Sequence, residues 1–180
     1  MEREDCSPYS EEHRNRDKVV PWNRRPIEIR NLLNPAFCGR ILYTTIAEYQ
    51  LKTDSSFPFP LIYLVLPLVL TESIRSEISS RTQLTNWVQK HPELLVGFGH
   101  RTASFVTFTN EALELLLQTG FLILTDDGRL SLNKQKKKLS KSKYLNPDIK
   151  EYLRKAEHVA RWFADTEKVE TIYICLGVRP

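Results

Sequence analysis

The carboxylate pair Asp126-Asp127, with Lys134 a short way downstream, is the one grouping in this 180-residue chain that suits divalent-metal nuclease chemistry. Two neighbouring acids can hold a metal that activates water, and a nearby lysine can offset developing negative charge. Gly128 follows the pair directly, however, and short apolar runs flank it at Phe121–Thr125 and Arg129–Leu132. Asp-Asp-Gly between two such runs is a β-hairpin turn, and the turn accounts for both acids without a metal. The four histidines, His13, His91, His100 and His158, are never paired at i, i+4 around a glutamate, so a zinc-hydrolase site has no support. Cys6, Cys38 and Cys175 are odd in number, far apart and without a CxxC pair, which argues against a zinc ribbon or a disulfide framework. Cys38 has only Arg40 nearby to favour a thiolate and reads as a core residue. Gly97-Phe98-Gly99 is a lone GxG with no third glycine, and no GxSxG elbow exists. The expectation is a chain with no catalytic residue, no metal and no cofactor.

Charge placement is more informative than these motifs. Residues 1–30 are net zero, residues 31–133 net −2 and residues 134–180 net +6, which together give the overall +4. The surplus lies in one tract, Lys134-Gln-Lys-Lys-Lys-Leu-Ser-Lys-Ser-Lys143. Lys134, Lys136, Lys137, Lys138, Lys141 and Lys143 are therefore candidate DNA-phosphate contacts, unspecific in sequence. The same block also reads as a solvated linker, at residues 134–145. With 41% hydrophobic and 27% charged residues the chain is globular, and 10% aromatics can build a sizeable core. Met1 to Asp17 is dense in charge, unlike a secretory signal, so a soluble cytoplasmic protein is expected.

Residues 1–30 read as an irregular arm, broken by Pro8, Pro21 and Pro26, with Val19-Val20-Pro21-Trp22 as a segment that can dock on the body or on a partner. Asn34-Pro35 then opens a helix, asparagine as cap and proline in the first turn, with an apolar stripe from Cys38 to Tyr49 that carries it to about Leu51. The run Phe57–Leu70 is too short to span a bilayer and predicts a buried helix from about Pro60, bent near Pro67. Short helices follow over Thr71–Ser79 and Thr85–Lys90. From Glu93 the pattern predicts a helix to Val106, a break at Thr107-Phe108-Thr109, and a second helix from Asn110 to Thr119, capped by Thr109 and stopped by Gly120. The hairpin comes next. Asn146-Pro147 repeats the start signal for a helix with a stripe from Ile149 to Phe163, and Val169–Leu176 is open between a strand, which its β-branched residues favour, and a helix, which Asp165-Thr166 as cap and Gly177 as stop favour; the helix is chosen.

Helix, turn, helix, hairpin is the order of a winged helix. The expected fold is therefore mainly α with a small β-hairpin: a winged-helix-like core within residues 31–133, packed with additional helices from residues 146–180. In a winged helix the helix before the hairpin reads the DNA groove. Here that helix carries Glu111 and Glu114, which would meet phosphates. Protein docking fits better, with Arg101, Glu111, Glu114 and Arg179 as candidate partner contacts. A free-standing winged-helix DNA-binding regulator is the alternative.

An ordered set of segments carries a resemblance. Asn34-Pro35-Ala36-Phe37-Cys38, Phe59-Pro60-Leu61 leading to Leu66-Pro67-Leu68-Val69-Leu70, Pro92-Glu93-Leu94 with Val96-Gly97-Phe98, and Leu176-Gly177-Val178-Arg179-Pro180 resemble the middle component of three-component ABC systems, over Asn31 to Pro180. The resemblance implies an operon partner that is an SMC-like (Rad50-like) ABC ATPase and a variable effector such as a nuclease, as in Lamassu-type anti-phage defence. It also implies a non-catalytic adaptor, with no catalytic residues to transfer.

Overall fold

Asn34 opens the first helix as its position demands: Asn34 Oδ1 accepts the Ala36 N–H at 2.8 Å, and Pro35 occupies the first turn. In this computed structural model the described residues are 24, 26, 27, 33–79, 81–136, 139, 146–166 and 168–179. Val19–Trp22 lies outside them.

Helix α1 (Pro35–Thr53) buries Cys38, Ile41, Leu42, Thr45, Ile46 and Tyr49, the stripe its spacing predicts. Asp54 closes it in the left-handed conformation at φ 52°, its N–H bonded to the Gln50 carbonyl. Strand β1 (Phe57–Pro58) and a 3-10 turn (Phe59–Leu61) lead into α2 (Ile62–Leu70), which runs through Pro67 and is buried at every position except Tyr63. Short helices α3 (Glu72–Glu77) and α4 (Leu84–Lys90) follow, then a 3-10 turn at Pro92–Leu95.

The next helix corrects the sequence reading. Residues Phe98–Gln118 form one continuous helix, α5, starting at Gly97 with φ 69° and no break at Thr107–Thr109. Thr109 caps nothing: it is buried, and its hydroxyl donates to the Phe105 carbonyl at 3.0 Å. The helix–turn–helix ahead of the hairpin is thus not formed by these residues. Tertiary burial outweighs the low helix propensity of Thr-Phe-Thr.

The hairpin forms as expected. Strands β2 (Leu122–Leu124) and β3 (Arg129–Leu132) pair antiparallel with Ile123 opposite Ser131, joined by Asp126-Asp127-Gly128 with Gly128 at φ 72°. β1 adds to the far side of β3, Phe57 opposite Leu130, so the sheet runs β1-β3-β2. Gln50 extends that side, accepting the Leu132 N–H at 3.0 Å and donating to Ser131 at 2.9 Å.

Helix α6 (Pro147–Thr166) repeats the Asn-Pro device, with Asn146 Oδ1 accepting from the Asp148 N–H at 3.0 Å. Its Ala156, Val159, Ala160 and Phe163 enter the same core as Ile41, Leu42, Leu64 and Phe57. Removing the valine, isoleucine, leucine and phenylalanine side chains among these from water stabilises the fold by about 1.5–3 kcal/mol each. Helix α7 (Val169–Cys175) confirms the helical choice for this segment, but Lys168, not Asp165-Thr166, stands at its N-cap. The mainly α architecture with a small hairpin is the fold the sequence predicts. Among the described residues no helix is long and apolar enough to cross a membrane.

Candidate interaction surface

Of the buried polar side chains, Thr45, Thr109 and Lys155 are spent on the protein's own backbone, while the Thr102 hydroxyl meets no partner among the described residues. Lys155 on α6 is 8% exposed, and its Nζ donates to the carbonyls of Ile78 at 2.8 Å and Ser76 at 3.4 Å, closing the end of α3. Burial pushes its pKa down from the ordinary lysine value. Arg75 donates to the Leu70 carbonyl at 3.2 Å and lies 4.4 Å from the Tyr152 ring centre. The indole N–H groups of Trp87 and Trp162 reach the carbonyls of Glu77 and Thr82, and the Tyr173 hydroxyl reaches that of Pro60. Such groups hold α6 and α7 onto the body. Cys38 is fully buried and its thiol is pushed up to about 12, first by burial and then by the charge of Glu111, which disfavours the thiolate.

Asp126 and Asp127 sit in the exposed hairpin turn. Asp127 accepts from the Thr125 hydroxyl and pairs with Arg129 Nε at 3.4 Å, and the Gly128 N–H closes the turn on the Thr125 carbonyl at 2.9 Å. Asp127 is thus accounted for by turn geometry, and Asp126 stands exposed beside it. Among the described residues no group of three or more His, Cys, Asp and Glu side chains is placed to hold a metal ion.

Lys134 and Lys136 are exposed just after β3. Lys136 Nζ lies 5.9 Å from the centre of the Phe121 ring, over the start of β2. Lys137, Lys138, Lys141 and Lys143 lie outside the described residues. Arg101 is half-buried and donates from Nη1 to the Leu94 carbonyl at 3.4 Å, so it ties the 3-10 turn to α5. Glu111 is half-buried beside α1. Glu114 is exposed one turn on and accepts from Gln118 at 2.8 Å. The outward stripe of α5 is Ala103, Val106, Thr107, Asn110, Glu114 and Gln118, which holds no cation to meet a phosphate. Arg101, Glu111 and Glu114 are carried by α5, and Arg179 follows the last helix.

The C-terminal segment is built as an anchor. Gly177 adopts φ 66°, its N–H bonds to the Ile174 carbonyl at 3.0 Å, and the Val178 N–H bonds to the Tyr173 carbonyl at 3.0 Å. These two bonds are those of a Schellman cap. Leu176 is fully buried and Val178 packs against the core, which leaves Arg179 exposed.

One feature has no counterpart in the sequence reading. A cleft of about 170 Å³ opens between the end of α1, the segment before α4 and α6, with Lys52, Thr82, His158, Arg161, Trp162 and Asp165 on its walls. Lys52 pairs with Asp165 at 2.5 Å, and Arg161 pairs with Glu48 at 2.8 Å and with Glu157 at 3.9 Å. The pairs neutralise most of the cationic wall. Lys52 and Asp165 are 113 positions apart, and no local pattern announces their meeting.

No curated protein and no solved structure matches the chain. The family model described as ABC-three component (ABC-3C) system Middle Component 3 matches residues 22–180, nine residues earlier than the resemblance in the sequence begins. The match covers most of the chain, which therefore belongs to that middle-component family of ABC-three component systems.

Proposed function

We propose that the protein is a non-catalytic adaptor linking an SMC-like (Rad50-like) ABC ATPase to a variable effector, such as the nuclease the resemblance implies, in a Lamassu-type anti-phage defence complex. Family membership over residues 22–180 carries this reading, because a middle component works among the other components of its system. The side-chain chemistry supports it. Buried Lys155, Trp87, Trp162 and Tyr173 are committed to backbone carbonyls, and Asp127 of the hairpin to its turn. What remains at the surface is contact chemistry: Glu114 on α5, Arg179 beyond the cap, and the basic tract beginning at Lys134.

The basic tract supplies any DNA contact, through phosphates and without sequence preference. The alternative, a free-standing winged-helix regulator, has less support, because α5 is continuous and its outward stripe is acidic and neutral. Co-expression of the three gene products tests the adaptor. ATPase and effector should co-elute when this chain is present and separate when it is omitted. Co-elution without it would overturn the reading.

A further inference from the structure

Among the described residues nothing pairs with the outer edge of strand β2. Phe121 and Asn133, and Thr125 and Arg129, are hydrogen-bonded pairs, with N···O distances of 3.0 and 2.8 Å. In an antiparallel ladder such pairs alternate, so Ile123 bonds to Ser131 while the backbone N–H and C=O of Leu122 and Leu124 point away from β3. Among the described residues none of those four groups meets a donor or acceptor. Ile123 is 44% exposed and Leu124 57% exposed, and β2 contains no proline, charge or bulge. Natural edges are normally blunted by such devices. β1, the opposite edge, has two residues, ends on Pro58 and is extended by Gln50.

The charges at the two ends of β2 identify the occupant. The strand leads into exposed Asp126 and Asp127 at one end. At the other end lies Lys136: a Cβ placed on Gly120 would come within 3.3 Å of Lys136 Cε. The edge is thus a dipole, basic where β2 begins and acidic where it ends. The geometry points to a second copy of this chain, pairing β2 against β2 antiparallel about a two-fold axis. The outward groups fix the register: Leu122 opposite the partner's Leu124, Ile123 opposite the partner's Ile123, and Leu124 opposite the partner's Leu122. Four new backbone hydrogen bonds form, and the two exposed isoleucines become a cross-strand pair. Continued outward, the same register sets Asp126 against the partner's Gly120, where the partner's Lys136 lies. Two-fold symmetry makes this contact twice. An unrelated strand would satisfy the backbone equally well but has no reason to carry the inverse charge pattern. The paired segment is short, so the dimer is weak and concentration-dependent.

Sedimentation equilibrium of the full chain over a concentration series tests this. The wild-type chain should show a reversible monomer–dimer equilibrium. Ile123→Lys, an exposed change that sets lysine against lysine, should be monomeric with an unaltered circular dichroism spectrum and melting temperature. Asp126→Lys should raise the dimer Kd by about tenfold, since two symmetry-related pairs are lost together. Adding Lys136→Asp to Asp126→Lys should restore it. A wild-type chain that stays monomeric into the high-micromolar range overturns the proposal, as does a dimer untouched by Ile123→Lys. Loss of binding to another component in Ile123→Lys, with a monomeric wild type, also overturns it and assigns the edge to that component.

Discussion

Arg161 Nη1 lies 3.0 Å from His158 Nδ1 on the same face of α6. A guanidinium has no acceptor, so Nδ1 must accept and the imidazole proton sits on Nε2. The surroundings favour the neutral form of His158: burial pushes its pKa below the ordinary 6.5, and Arg161, Arg154 and Lys155 push the same way against Glu157. Protonation would break the contact and place a cation beside Lys52 and Arg161.

A pH dependence follows. With the folded pKa lowered, the unfolded chain binds more protons than the folded one in the window below 6.5. Stability therefore rises with pH through that window and is lost as pH falls through the folded pKa. Melting temperatures across mildly acidic to neutral pH should rise and then level off. His158→Gln, whose side-chain oxygen can still accept from Arg161, should flatten the acidic limb.

Lys155 is a structural cation. Lys155→Met keeps the aliphatic stem but leaves the carbonyls of Ile78 and Ser76 without their donor. Unpaired buried polar groups cost about 1–3 kcal/mol, so chemical denaturation should show a loss of that size. An unchanged midpoint would mean that water replaces the amine.

The C-terminal cap separates folding from assembly. Gly177→Ala forces a side chain into φ 66° and should cost about 1 kcal/mol of stability. Arg179 is exposed beyond the cap, so Arg179→Ala should melt like wild type. If Arg179 pairs with an acidic residue of the ATPase or effector, the same variant should lose co-purification. Normal assembly by folded Arg179→Ala removes it from the interface.

Local signals were legible where one residue type has one physical use. Asn34 and Asn146 cap their helices as Asn-Pro predicts, Gly120 and Gly177 stop theirs at positive φ, and Asp-Asp-Gly makes the hairpin turn. The reading failed where burial decides. Thr107-Phe108-Thr109 looks like a break, but packing against the core holds it helical. β1 has no local signature, since two residues become a strand only when β3 offers them partners. The cleft was invisible for the same reason: its Lys52–Asp165 and Glu48–Arg161 pairs join α1 to α6 across 113 positions each. Among the candidate contacts, Arg101 proved to be partly structural, its guanidinium turned onto the Leu94 carbonyl.

The basic tract predicts a salt signature. If several of Lys134, Lys136, Lys137, Lys138, Lys141 and Lys143 contact phosphates, log affinity for duplex DNA should fall with log salt by about 0.9 per contact. Changing all six to glutamine should flatten the slope. A slope that does not change places the contacts elsewhere, with Arg24 and Arg25 the first candidates.

The adaptor reading is tested most directly by tagging this chain and isolating it from cells that also express the ABC ATPase and effector of its own system. The account predicts a stable complex containing both, and a purified chain that alone leaves ATP and DNA intact with magnesium or manganese. Recovery of the chain by itself, or metal-dependent DNA cleavage by the chain that disappears in Asp126→Ala, would contradict it.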